Sequence, residues 1–186
     1  MSDSNLPGKD FIDVVNDDDV VIETRLRAEV HNLGLLHREV HVWMFDNKKN
    51  IYFQKSSANK SSAGLLDASI GGHVDAGENY LLSAVREMKE ESGISAVSQD
   101  LFFLTKFRDV SKSKKLGTIN NFIRSVYVYK KPVTDSDMKR DPNENESFQK
   151  FSLSFLLNLN NEDMLKFHQF VPTHELPHVL KYVKNL

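Results

Sequence analysis

Two runs of branched and aromatic residues, Phe11-Ile12-Asp13-Val14-Val15 and Val20-Val21-Ile22-Glu23-Thr24, flank the polar stretch Asn16-Asp17-Asp18-Asp19. Alternation on either side of Asn and Asp predicts a β-hairpin with a short acidic turn. Residues 25–36 follow no single period and are read as a short helix leading to His37-Arg38. Apolar runs at 40–45 and 51–54 around Asp46-Asn47-Lys48-Lys49-Asn50 predict a second hairpin. Residues 55–63 form a Ser-rich loop, and 65–70 a short strand that ends at Gly71-Gly72.

The period then changes from two to about 3.6. Leu81, Ala84, Val85 and Met88 fall at i, i+3, i+4 and i+7, the buried stripe of a helix over 78–92. Gly93 is placed to stop it in a left-handed conformation. Strands are predicted at 101–107 and 122–129, with an exposed lysine-bearing loop at 109–117 between them. Residues 131–147 read as another long polar loop. Helical patterns return at 153–157 and 176–186, behind Pro172 and Pro177. Hairpins mixed with helices, without repeats or a linker, give an α/β (α+β) class. The expected organisation is a loose arm at 1–10 and one domain over 11–186.

Composition narrows the function. With 186 residues the chain is long enough to bury a core without staples. Lys plus Arg number 24 against 26 Asp plus Glu, a net charge of −2 that does not suggest nucleic acid as the main partner. The absence of cysteine removes disulfides, thiolate metal sites and a cysteine nucleophile. The polar first ten residues lack a signal-peptide pattern, and no apolar run reaches 18 residues. A cytoplasmic protein without membrane segments is expected.

The chemistry concentrates in residues 72–94. Glu87, Glu90 and Glu91 stand at i, i+3 and i+4 and share one helix face. Acids this close repel unless a cation sits among them, and hard divalent ions favour oxygen ligands. Around the triad lie Gly72, five residues, Glu78, seven residues, Arg86-Glu87, Met88, one residue, Glu90-Glu91, one residue, Gly93 and Ile94. This pattern resembles the Nudix box at every position. The resemblance implies the Nudix fold, a mixed curved β-sheet sandwiched between helices, and a Mg²⁺-dependent pyrophosphohydrolase, with Mn²⁺ as the alternative ion. Its substrate would be a small nucleoside (or other) diphosphate linked to a group X. It also implies that Glu87, Glu90, Glu91 and the Gly71 carbonyl ligate the metal, and that Glu78 and Arg86 form an ion pair orienting the helix. The choice of general base among the carboxylates stays open, as does the number of ions. Many relatives being dimers, a homodimer is a further expectation.

Outside the box, Arg38, Lys55 and Lys60 are the nearest candidates for substrate phosphates, with Lys112, Lys114 and Lys115 behind them. Glu144 or Glu146, in the long polar loop, could bind a second metal or supply an alternative base. The order Leu36-His37-Arg38, Gln54-Lys55, Leu65-Leu66-Asp67-Ala68-Ser69 is similar to proteins related to isopentenyl diphosphate isomerase. Those isomerases bind a metal through histidines near the positions of His31, His37 and His73, plus two downstream glutamates. Against that activity, no cysteine stands near Ile70 or Gly71, Thr118-Ile119-Asn120-Asn121 carries no acidic pair, and the box is intact. Hydrolysis is therefore preferred, the alternatives being an isomerase-like enzyme or a non-catalytic Nudix ligand-binding module.

Overall fold

The computed structural model describes residues 10–56, 64–113, 115–138 and 145–186. Strands β1 (Phe11–Val15) and β2 (Val21–Leu26) pair antiparallel as the sequence suggests. Asn16 shapes the turn, its Oδ1 accepting from the amides of Asp18 and Val20, and Asp19 takes a positive φ of 60°. Helix α1 (Arg27–Leu33) follows and closes on left-handed Gly34.

Strand β3 (Leu36–Trp43) is the spine of the molecule. It touches β1 near its start, pairs antiparallel with β6 (Ile70–His73) on that edge, and lies parallel to β8 (Thr118–Tyr129) on the other. β8 pairs with β7 (Leu101–Ser113). The large sheet thus runs β2-β1-β3-β8-β7, with β6 beside β3. A second, three-stranded sheet joins β5 (Leu66–Asp67), β4 (Ile51–Ser56) and β9 (Asn145–Phe151).

Four sequence expectations change here. The runs at 40–45 and 51–54 do not form a hairpin. β3 and β4 belong to different sheets, and the turn between them is held by a bridge between Phe45 and Ile51 and by bonds from Asp46 N–H to the Asn50 carbonyl and from Tyr52 N–H to the Met44 carbonyl (both 3.0 Å). Both strands are buried on two faces, so each is covered from both sides, which local alternation does not reveal. The stretch at 65–70 is likewise split between β5 and β6. Residues 109–113 extend β7 as an arm paired to β8 rather than forming a loop, and β9 begins inside the stretch read as polar loop.

Strand parity sorts the core. Val40, Val42 and Met44 turn to helix α2 (Tyr80–Ser92), joining its Ala84 and Met88 with Ile70, Tyr127 and Tyr129. Trp43 turns to the other side, with Phe53, Val126, Val128 and the C-terminal helix α5 (Leu176–Lys184). Helices therefore cover both faces of β3 and β8, the sandwich expected from the resemblance.

Candidate active site

Helix α2 begins one residue after Asn79, whose Oδ1 accepts from the amides of Leu81 and Leu82. It ends where Gly93, at φ 74°, donates its N–H to the Lys89 carbonyl. These caps fix the register of the box acids on the helix. Arg86 is their hub. Its Nη1 donates to Glu87 Oε1 at 2.7 Å and lies 3.4 Å from Glu90 Oε2, Nε donates to Glu78 Oε2 at 3.1 Å, and Nη2 donates to the His73 carbonyl at 3.0 Å. Glu78 also accepts from Ser83 Oγ at 2.5 Å. Arg86 and Glu78 thus tie the helix to strand β6.

Both glycines before the helix have a steric reason. A Cβ on Gly72 would stand 2.1 Å from Glu87 Oε1, and one on Gly71 would stand 2.7 Å from the His41 ring. Glu87 packs on one glycine and His41 on the other. Gly71 N–H donates to Glu91 Oε2 at 3.0 Å. In a strand, N–H and C=O of one residue point the same way, so the Gly71 carbonyl also faces the helix end. Burial, reinforced by Glu90 and Asp75 and opposed by Arg86, pushes the Glu87 carboxyl up to about 7. Glu91 is almost completely buried, whereas Glu90 is exposed. Carboxylates and a carbonyl are the donor types a hard divalent cation takes, but Glu87, Glu90 and Glu91 do not bring three ligand oxygens within 4.8 Å of one another in this structure.

A cleft of about 690 Å³ opens over Gly71, Gly72 and His73. Its floor is the face of β3 that carries Glu39 and His41, alternating with Val40 and Val42, which face α2. Glu39 accepts from Arg124 Nη2 (2.6 Å) and Asn120 Nδ2 (2.8 Å). Arg124 Nη1 donates to Glu175 Oε1 at 3.0 Å, and Trp43 Nε1 donates to Glu175 Oε2 at 2.9 Å. Burial alone would raise the carboxyls of Glu39 and Glu175, yet Arg124 beside Glu39, and His41 and Arg124 hydrogen-bonded to Glu175, hold both below the ordinary range.

The three histidines singled out from sequence do converge. Ligating atoms of His31, His37 and His73 lie within 4.8 Å of one another, the one such group of His, Asp and Glu among the described residues. The Nε2 atoms of His31 and His73 are 3.0 Å apart. His37 Nδ1 sits 3.0 Å from the Leu35 carbonyl, which fixes the proton there and leaves a buried, bare Nε2. Burial, then the charges of His37 and Arg27, drive His31 down to about 4, and burial also lowers His37 and His73. All three are neutral imidazoles near pH 7, with Glu39 Oε1 3.6 Å from His73 Nε2.

The proposed phosphate contacts fare differently. Arg38 follows His37 on β3 and so projects to the opposite face, where Asp19 binds it at 2.6 Å beside Tyr80. It does not line the cleft. Lys55 lies on β4 in the small sheet, and Lys60 and Lys114 fall outside the described residues. Lys112 lines the cleft, and so does Arg27. Glu144 falls outside the described residues, and for Glu146 only the β9 backbone is described. Missed from sequence were Glu39, His41, Arg124 and Glu175. A visible signal existed for the first two: polar residues at alternate positions 37, 39 and 41 of an otherwise apolar strand.

Comparison with known proteins decides the family. The NUDIX domain model matches residues 35–175. The chain belongs to the Nudix family. It is 39% identical over 104 residues to Nudix hydrolase 3 of Arabidopsis thaliana, covering 55% of this chain and 14% of that protein. It is 37% identical over 93 residues to an isopentenyl-diphosphate Delta-isomerase of Serratia proteamaculans, 50% of this chain and 52% of the other. The chain therefore spans about half, or less, of the length of these relatives. Among solved structures, DR0079 from Deinococcus radiodurans superposes with a TM-score of 0.61 at 23% identity, over 79% of this chain and 86% of that one. That likeness establishes the Nudix fold. Among the described residues no helix is long and apolar enough to cross a membrane.

Proposed function

We propose that this Nudix protein is a divalent-metal-dependent pyrophosphohydrolase acting on a small diphosphate-linked substrate. The observation that carries this is the box as built: Glu87, Glu90 and Glu91 on a capped helix, Arg86 and Glu78 tying it to β6, and Gly72 leaving room for Glu87. Glu87, Glu90, Glu91 and the Gly71 carbonyl would hold Mg²⁺ or Mn²⁺. A divalent ion bound there supplies charge neutralisation for the diphosphate and lowers the pKa of water. Arg86 holds Glu87 and Glu90 in place. Arg27 and Lys112, at the cleft, replace Arg38 as the cations placed to meet substrate phosphates.

The test is phosphate or nucleotide release, with Mg²⁺, from a panel of diphosphate-linked nucleosides, sugars and alcohols. Glu90→Gln and Glu91→Gln should each reduce kcat by ~10²-fold or more, the scale of one strong electrostatic contributor. Near-normal turnover in both would remove the metal assignment, and no release by wild type from any compound would favour a binding module.

A second reading is favoured by the three convergent histidines. Neutral imidazoles with a carboxylate 3.6 Å away suit a softer cation such as Zn²⁺, and one relative carries the isomerase name. Rearrangement of isopentenyl diphosphate without phosphate release, lost in His73→Ala, would establish the isomerase-like activity.

A further inference from the structure

Strand β2 is one edge of the large sheet, and among the described residues no strand pairs with its outer side. The edge is apolar. Val20 and Ile22 are 55% and 61% exposed, and Val21 and Leu26 are exposed beside them. A bare apolar edge is a template for a further strand. Arg27 N–H donates to the Asp10 carbonyl, and bonded pairs alternate from there: Ile12 with Arg25, then Val14 with Glu23. Glu23 and Arg25 therefore turn their backbone groups inward to β1, while Thr24 and Leu26 turn theirs outward. Thr24 Oγ1 donates to Asp13 Oδ1 at 2.6 Å, which anchors the middle of the strand.

We propose that β2 is an interface for a second copy of this chain, the two strands pairing antiparallel about a two-fold axis at Thr24. Charge complementarity selects both the occupant and the register. Thr24 exchanges its two outward backbone bonds with the partner's Thr24. The flanking positions then set Glu23 against the partner's Arg25, and Arg25 against the partner's Glu23. These are non-bonded positions, where facing side chains stand closest. Within one chain Arg25 Nε lies 2.9 Å from Glu23 Oε2 with both side chains partly exposed, so the four charges of the pair alternate in sign. Leu26 falls beside the partner's Ile22 at either end, where the irregularity opposite Val14 and Val15 closes the regular edge. A two-fold contact of this kind is self-complementary by construction. The other edge of the sheet, β7, offers no such register. Its cations Lys106, Arg108 and Lys112 occupy one face and Asp109 the other. Cross-strand partners share a face, so two copies of β7 never set opposite charges against each other.

Analytical ultracentrifugation of the whole chain over a concentration series tests this. Wild type should pass from monomer to dimer near ~100 µM, as suits a short strand-to-strand contact. Glu23→Lys and Arg25→Glu each turn two attractive pairs into repulsive ones, and each should weaken the dimer by ~10-fold or more. The double variant Glu23→Lys/Arg25→Glu restores opposite signs and should recover wild-type association. An equimolar mixture of the two single variants should form a mixed dimer, because positions 23 and 25 are then opposite in sign across the pair. Raising the salt concentration should loosen the wild-type dimer, a reading that needs no variant. Wild type that stays monomeric throughout overturns the proposal. A dimer indifferent to salt and to both reversals, or one the double variant fails to restore, places the interface elsewhere and overturns it too. None of these readings involves turnover, so the outcome is independent of the hydrolase reading.

Discussion

At the scale of single residues, the two box glycines make the sharpest claim. Gly72→Ala drives a methyl group to within 2.1 Å of Glu87 Oε1, and Glu87 cannot yield without loosening its 2.7 Å bond from Arg86. Gly71→Ala meets the His41 ring at 2.7 Å, and that ring is held from behind by Glu175. Each substitution should leave a folded protein with a lower melting temperature, and each should cut kcat by ~10²-fold or more, as misplacing a catalytic group does. Steady-state kinetics on folded variants decides it. Full activity in Gly72→Ala would mean that Glu87 need not stand where it does. The glycine at 72 was legible in the box, but the steric need for one at 71 was not, because His41 is 30 residues away and enters only through strand pairing. The same limit explains Arg38. Its neighbour His37 is buried on the strand face that carries Glu39 and His41, so strict strand alternation sends Arg38 to Asp19, and sequence order alone does not say which of the two faces inward.

At the scale of elements, helix α2 was the most legible piece. Its stripe, its left-handed glycine stop and its acidic face all follow from local spacing, and only the start moved, to Tyr80 behind the Asn79 cap. Asn79→Ala should destabilise by about 1 kcal/mol while leaving activity per folded molecule unchanged, which denaturant melts and kinetics together would show. The helix also sets a pH dependence. Glu87 titrates near 7 in the fold against an ordinary value of 4.5, because it is buried and close to Glu90. The folded state then holds this proton more tightly than the unfolded state does. Its contribution is full below pH 4.5 and is lost as pH rises through 7. Melting temperatures of metal-free wild type should therefore fall relative to Glu87→Gln between pH 5 and 8, and Mg²⁺ should reverse the fall. Parallel curves for the two proteins would refute the assigned environment. Strands β3, β4 and β5 were legible as strands, though their partners were not. Pairing of β4 with β9 and of β3 with β8 joins residues about 80 to 100 positions apart, where no local pattern operates.

At the scale of the whole molecule, the cleft floor is a buried charged layer assembled from distant segments. Glu39 from β3, Arg124 from β8 and Glu175 from the C-terminal region satisfy one another, while His31, His37 and His73 close the adjoining end as neutral rings. Neutrality there has a consequence at low pH. An unfolded histidine takes its proton near 6.5, whereas His31 in the fold resists until about 4, mainly through burial. The unfolded state thus binds more protons across this window, so stability is complete above 6.5 and is lost as pH falls toward 4. This runs opposite to the Glu87 contribution, and three histidines act together, so the net trend on acidification from pH 7 should be a falling melting temperature. His31→Gln, which cannot take up a proton, should flatten that fall and leave the Glu87-dependent difference at higher pH intact. Zn²⁺ should raise the melting temperature of wild type at pH 7 and lose most of that effect only by about pH 4, where His31 in the fold takes up its proton. A Zn²⁺ effect of equal size at both pH values, or one that survives in His73→Ala, would show that the ion binds elsewhere.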